Sequence, residues 1–343
     1  MRKLMNTLYV TLPEAYLSLD GENVVVLRDE ETKIRVPLHN LEGIVTFGYT
    51  GASPALMRAC ADQNIALTFL TQNGRFQARV VGAIKGNVVL RRAQYRVADD
   101  KERCLEISRN CIIAKVYNGK HVLERTIRDH SERVDTEQIR KITIQMNESL
   151  LAIKMTESLD SLRGYEGEAA SRYFSVFNEM ILQQNEDFSF SVRSKRPPLD
   201  NINALLSFVY TLLAHDIAAA LETVGLDPYV GFLHTDRPGR ISLALDLMEE
   251  LRPCVADRFV ISLVNKRMIN GRGFEKQENE AVIMSDETRR EVLKNWQIRK
   301  QDKIIHPFLK EKIEWGLVPY VQAMLLARYI RGDLDGYPSF FWK

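Results

Sequence analysis

The chain has little net charge, few cysteines and no long apolar run, and each shortage removes a class of protein. Its 47 Lys and Arg residues stand against 45 Asp and Glu, leaving a formal net charge of +2. Global charge therefore cannot hold a polyanion, and any phosphate affinity has to come from local patches. The four cysteines, Cys60, Cys104, Cys111 and Cys254, form no Cys-x-x-Cys pair that would suggest zinc and no secreted disulfide framework, so a cytoplasmic setting is expected. The greasiest stretch, Ala204 to Ala214, contains Ser207 and Thr211 and ends at His215 and Asp216, well short of the ~20 residues that span a bilayer. Near the start, Arg2 and Lys3 lead into strand-like alternation and not into the apolar core of an export signal.

What is present is 45% hydrophobic residues over 343 positions, enough for a substantial core and about two domains. Thr7 to Leu12, Ala15 to Leu19, Val24 to Leu27, Lys33 to Leu38 and Ile44 to Phe47 read as strands, rich in β-branched and aromatic residues between turn signals. One short helix interrupts them, with Ser53 as N-cap and Pro54 at its first position. Ala66 to Leu70 then runs into Asn73-Gly74, a hairpin signal that returns the chain through Phe76 to Val81.

After Tyr95 the period lengthens to that of a helix, with Asp99 and Asp100 at the expected start. Asp135 and Gln138 resemble a capping box ahead of the stripe Ile142, Met146, Leu150 and Ile153. A break is expected at Gly164, then a helix carrying Tyr173 and Phe174, a polar loop from Gln184 to Asp200, and a central helix through Leu205, Phe208, Val209, Leu212 and Leu213. The expected fold class is α+β: a small β-rich, sandwich-like domain over 1–96 and a larger, mostly α-helical domain over 97–343. Two stretches are locally basic. Residues 72–97 hold Arg75, Arg79, Lys85, Arg91, Arg92 and Arg96 with no acid, and 289–312 hold eight basic residues against three acidic ones; a solvated helix face explains such runs equally well.

The acidic residues that stand out are few. Glu166 lies between Gly164 and Gly167, where it reads either as an accessible ligand or as an ordinary first-turn glutamate favoured by the helix dipole. His234 ends the run Val230-Gly231-Phe232-Leu233, and the next element, Ser242 to Leu251, puts Asp246 and Glu249 three apart on one helical face. A solvated face accounts for Asp246, Glu249 and Glu250 just as readily. Two carboxylates and an imidazole, with water completing the shell, suit Mg²⁺ or Mn²⁺ and lack the thiolates of structural zinc.

Four blocks in order carry a family resemblance. Leu162-Arg163-Gly164-Tyr165-Glu166-Gly167, followed by Ala169-Ala170 and Tyr173-Phe174, resembles the signature of the CRISPR adaptation integrase, CRISPR-associated protein one. Arg196-Pro197-Pro198 with Asp200 and Asn203 to Phe208, then Gly225-Leu226-Asp227-Pro228 through Gly231-Phe232-Leu233-His234, then Ser242 to Glu250, resemble the family's next three blocks. The likeness spans nearly the whole chain. It implies Glu166, His234 and Glu249 as catalytic metal ligands for Mg²⁺ or Mn²⁺, with Asp246 as an accessory acid; some relatives carry aspartate at the Glu249 position.

The activity so implied is DNA transesterification. The 3′-hydroxyl of a spacer DNA attacks a phosphodiester at a CRISPR repeat boundary, with endonuclease activity when water attacks instead. Arg193, Lys195 and Arg196 are candidate phosphate contacts, or an exposed basic loop. Implied partners are double-stranded DNA, a second copy of the chain paired through the β-rich domain, CRISPR-associated protein two, and the cooperating CRISPR-associated protein four of the type I-C branch, to which the pattern is most similar. A mobile-element integrase and a catalytically silent DNA scaffold are the alternatives.

Overall fold

A computed structural model describes residues 6–29, 31–72, 76–82 and 88–342. Arg2, Lys3, the Asn73-Gly74 turn, Arg75 and Lys85 lie outside the described residues. The chain divides into two compact units. The first takes the described residues of Met1–Lys85 together with Met284–Asp302 and Glu314–Leu317, and the second takes the rest.

The first unit opens with β1 (Asn6–Val10), β2 (Tyr16–Asp20), β3 (Asn23–Arg28), β4 (Glu31–Pro37), β5 (Leu41–Phe47) and β6 (Gly51–Ala52). After them come α1 (Pro54–Gln63), β7 (Ala66–Leu70) and β8 (Phe76–Val80). They form two four-stranded sheets, ordered β1-β5-β7-β8 and β4-β3-β2-β6. The tight β2–β3 turn pairs Asp20 with Asn23, and Gly21 there takes φ +58°, a value that favours glycine. Leu17, Val24 and Val26 from one sheet and Ile44 and Leu67 from the other share a single buried core with Leu56 and Cys60 of α1, which is the expected sandwich-like arrangement. Ser53 caps α1, its hydroxyl accepting from Leu56 N at 3.2 Å.

The second unit is helical, with α2 (Val88–Ala98), α3 (Lys101–His130), α4 (Thr136–Lys154), α5 (Leu159–Ser175), α6 (Asn201–Val224), α7 (Ser242–Glu249) and α8 (Arg258–Asn265). Four of these helices begin where a short polar side chain meets the first free N–H groups. Asp100 caps α3, Asp135 caps α4, Ser158 caps α5 and Asp200 caps α6. The expected domain boundary near residue 96 falls inside α2, whose opening Val88-Val89 pair is β-like in propensity but whose Leu90, Gln94 and Val97 are buried at helical spacing.

Helix α6 runs 24 residues, longer than its greasiest stretch suggests. By length and composition it could cross a membrane, yet 67% of its apolar window is buried inside the protein, as in a core helix. Helix α9 (Asp286–Gln301) returns to the first unit, where Gln297 Nε2 donates to the Thr7 carbonyl on β1 at 2.8 Å. The basic run on it is largely spoken for. Arg289 is buried and pairs with Asp286 at 2.8 Å, and Arg299 pairs with Asp302 at 2.8 Å. Helix α10 (Val318–Arg331) packs on α6 in the second unit.

Candidate functional site

Glu166 does not begin a helix. Ser158 starts α5 eight residues earlier, its hydroxyl accepting from Ser161 N at 3.1 Å, and the helix runs unbroken through Gly164 and Gly167. A Cβ at either glycine would meet nothing within 4 Å, so these glycines make no close approach to another part of this chain. The sequence signal overstated them as breakers, because a good cap and the buried Leu162, Ala169 and Tyr173 outweigh the ~1 kcal/mol each glycine costs.

Helix α7 also differs from a solvated face. Asp246, Glu249 and Glu250 are 2%, 3% and 0% exposed, and buried carboxylates on this scale need partners. Asp246 finds them in the loop before it. Its Oδ2 accepts from Phe232 N at 2.6 Å and Leu233 N at 2.9 Å, and its Oδ1 accepts from His234 N at 3.0 Å and lies 2.6 Å from His234 Nδ1. A Cβ at Gly231 would lie 2.8 Å from Asp246 Oδ2, so only glycine lets the carboxylate sit this close to the loop. With a carboxylate accepting at Nδ1, the proton of a neutral ring sits there and the Nε2 lone pair is left for a ligand.

Two further clamps set this loop. Arg163, one turn before Glu166, donates to the Leu233 carbonyl from Nε at 3.2 Å and from a terminal nitrogen at 2.7 Å. The wholly buried Gln94 amide donates to the carbonyls of Asp227 and Val230 at 2.8 and 2.9 Å and accepts from Asp227 N at 2.9 Å. The Glu166 helix and the His234 loop are therefore tied together through the backbone next to His234.

Glu249 meets cations. Lys115 on α3 places its ammonium against Glu166 Oε1 and 2.7 Å from Glu249 Oε2, and Arg252 lies 3.2 Å from Glu249 Oε1. Burial alone would raise the Glu249 carboxyl, but Arg252, Lys115 and then His234 outweigh it and hold the pKa below the ordinary range. Burial would likewise lower the Lys115 ammonium, and Glu249 and Glu166 reverse that and raise it. The Lys115 ammonium is thus the close partner of the buried Glu249 Oε2.

Arg252 opens a wide turn of π-helix, Arg252–Asp257, because Pro253 has no N–H to give to the Glu249 carbonyl four residues back. Its guanidinium lies over the Tyr210 ring at 5.1 Å, and that of Arg193 does so at 5.3 Å. Tyr210 in turn donates to Asp257 at 2.6 Å. Beside Glu166 opens a cavity of about 500 Å³ whose lining includes Lys115, Arg193, Lys195, Tyr210 and Arg252. Of the candidate phosphate contacts, Arg193 is engaged by Asn203 Oδ1 at 2.6 Å and Ser207 Oγ at 3.2 Å. Lys195 is exposed at the cavity, its pKa lowered by partial desolvation and by the like charges of Arg252 and Arg193. Arg196 is exposed.

Glu166 and Glu249 thus share one cation, with His234 close enough to act on Glu249's charge. Among the described residues, however, no three His, Cys, Asp or Glu side chains are gathered closely enough to hold a metal ion. Sequence reasoning missed Lys115, Arg163, Gln94 and Arg252. A lone charge inside the apolar run Cys111-Ile112-Ile113-Ala114-Lys115-Val116 is the signal that could have found the first.

Comparison with known proteins places this chain in a family. The model of the family described as CRISPR associated protein Cas1 matches residues 8–298. A CRISPR-associated endonuclease Cas1 of Rhodospirillum rubrum is 50% identical over 347 residues, and one of Chlorobaculum tepidum is 48% identical over 343, each match covering 100% of both chains. Among solved structures, a casposase bound to its integration product superposes with a TM-score of 0.83 at 24% identity, covering 98% of this chain and 94% of the other, a likeness of fold. The chain belongs to the CRISPR-associated protein Cas1 family.

Proposed function

We propose that the chain is a divalent-metal-dependent DNA endonuclease and spacer integrase, in which the 3′-hydroxyl of a short DNA attacks a phosphodiester at a CRISPR repeat boundary. The observation that carries the reading is the meeting of Glu166 and Glu249, from α5 and α7, at a single cation beside an imidazole aimed by Asp246. The donor set fits Mg²⁺ or Mn²⁺. It offers two ionisable carboxylates and one imidazole nitrogen, and the buried Glu249 Oε2 has a cation, the Lys115 ammonium, as its close partner. Glu166, Glu249 and His234 Nε2 would hold the ion, and Asp246 would position the ring from behind without being a ligand itself.

When bound, such an ion supplies Lewis-acid stabilisation of charge on the phosphoryl group and favours the ionised form of the attacking hydroxyl. The protein's own part is positioning. Asp246 keeps a proton on Nδ1, so His234 presents its other nitrogen and is not the general base. Arg252 keeps Glu249 ionised, because at ~4 Å a pair of unit charges gains ~4 kcal/mol at an effective dielectric of 20. Lys195 and Arg196 stand exposed for phosphates, while Arg193 shapes the cavity wall.

Relatives named CRISPR-associated endonucleases over the full length of the chain favour spacer integration over a mobile-element reaction, although the casposase likeness supports the same joining chemistry. A second copy of the chain, CRISPR-associated protein two and CRISPR-associated protein four are the partners this reading carries, and the type I-C branch is its narrowest form. The test incubates the chain with Mn²⁺, a short duplex bearing free 3′-hydroxyls and a repeat-bearing plasmid. Covalent joining is expected, and it should vanish in Glu166→Ala and with blocked 3′ ends. Joining by Glu166→Ala would refute the ligand assignment, and joining of blocked ends would refute integration.

A further inference from the structure

Lys115 occupies the place between the two acids where a divalent ion would have to sit. Its ammonium touches Glu166 and lies 2.7 Å from Glu249 Oε2, while Arg252 takes the other Glu249 oxygen at 3.2 Å. Two carboxylates facing two cations are already neutral. A divalent ion added on the same carboxylates would stand beside two like charges in a site that is mostly out of water, where such repulsion is strong. One cation has to withdraw.

The two candidates differ in freedom. Arg252 is planar, lies over the Tyr210 ring at 5.1 Å and is anchored in the π-turn. Lys115 has a flexible four-carbon stem and itself lines the cavity of about 500 Å³. Its contact with Glu249 Oε2 is made by the ammonium alone, at 2.7 Å. We infer that Lys115 is a resident counter-cation that a divalent ion displaces into the cavity, so that metal binding is an exchange of cations and not the filling of an open site. The inference rests on the reading of Glu166, His234 and Glu249 as ligands.

Lys115 then has opposite effects on the two states. It stabilises the metal-free protein and weakens its affinity for metal. Titration of the full chain with Mn²⁺, read from the resonance signal of the free ion, measures the second effect. Lys115→Gln, which removes the competing charge, is expected to bind Mn²⁺ at least about 10-fold more tightly than the parent, and Lys115→Arg no more tightly. Equal or weaker binding by Lys115→Gln would overturn the exchange while leaving the ligands in place, provided that the parent binds and Glu166→Ala does not. Absence of binding in every form would overturn both.

A second measurement on the parent chain guards against a misfolded variant. Acetylation of Lys115, followed by mass spectrometry, should accelerate several-fold when saturating Mn²⁺ frees the amine, with other lysines as internal references. An unchanged rate contradicts displacement.

Discussion

Glu249 and Glu250 are neighbours in sequence and almost equally buried, yet the protein treats them in opposite ways. Glu249 faces Lys115 and Arg252 and is held ionised. Glu250 faces neutral donors: the Tyr337 hydroxyl at 2.5 Å, Phe340 N at 2.6 Å and Gln322 Nε2 at 3.1 Å. Burial raises the Glu250 pKa to about 7 despite these bonds. The charged surroundings keep a carboxylate ready for a cation, whereas the neutral ones use a carboxyl as a structural knot. Around that knot Asn118 donates to the carbonyls of Glu250 and Phe340 at 2.7 and 2.8 Å and accepts from Trp342 N at 2.8 Å, stitching residues 337–342 to α3 and α7.

The largest expected effect breaks the charged side. Glu249→Gln should lower Mn²⁺-dependent DNA joining by roughly 10³-fold, as for loss of a central electrostatic group, in a single-turnover assay of the folded variant. A loss below about 10-fold would move Glu249 out of the catalytic centre. On the neutral side, Glu250→Gln turns an amide nitrogen toward donors that need an acceptor. It should cost about 3 kcal/mol of stability in urea melts, while joining per folded molecule stays within a few-fold of the parent.

The pH response sharpens the same contrast. His306 is fully buried, its Nε2 lies 3.1 Å from Gln322 Oε1, and its Nδ1 accepts from Phe308 N and Leu309 N at 3.3 Å. Burial, only partly opposed by Gln322, lowers its pKa to about 4 from 6.5. Its contribution to stability is therefore complete above pH 6.5 and is lost as the pH falls towards 4, by about 3 kcal/mol. Urea melts of the parent and His306→Gln across that range should converge on acidification; parallel curves would show that His306 does not carry the effect. The smallest expected change is Ser158→Ala, which removes the cap of the Glu166 helix and should cost about 1 kcal/mol in thermal melts.

Local chemistry was the legible part of this fold. Ser53, Asp100 and Asp135 cap helices where short polar residues were expected to do so, because a cap needs only its own next turn. The four ordered blocks singled out Glu166, His234, Asp246 and Glu249 as candidates, and the structure brings Glu166 to Glu249 through Lys115 and His234 to Asp246. What escaped was set by distant partners. Leu243, Leu245, Leu247 and Met248 leave no clean apolar stripe on α7, so nothing nearby in sequence shows that its acids are buried. Lys115 meets Glu249 across 134 positions, the difference between their numbers, and Asn118 meets Trp342 across 224. The unbroken α5 was misjudged for the opposite reason, two glycines counting for more in the sequence than in a capped and packed helix.

The most direct test of the contrast is Mn²⁺ binding by the parent, Glu166→Ala, Glu249→Gln and Glu250→Gln, measured by titration calorimetry on folded protein. Binding should be lost in the first two variants and kept in Glu250→Gln. Binding that survives Glu249→Gln, or that fails only in Glu250→Gln, would contradict the assignment of the charged pair as the metal site.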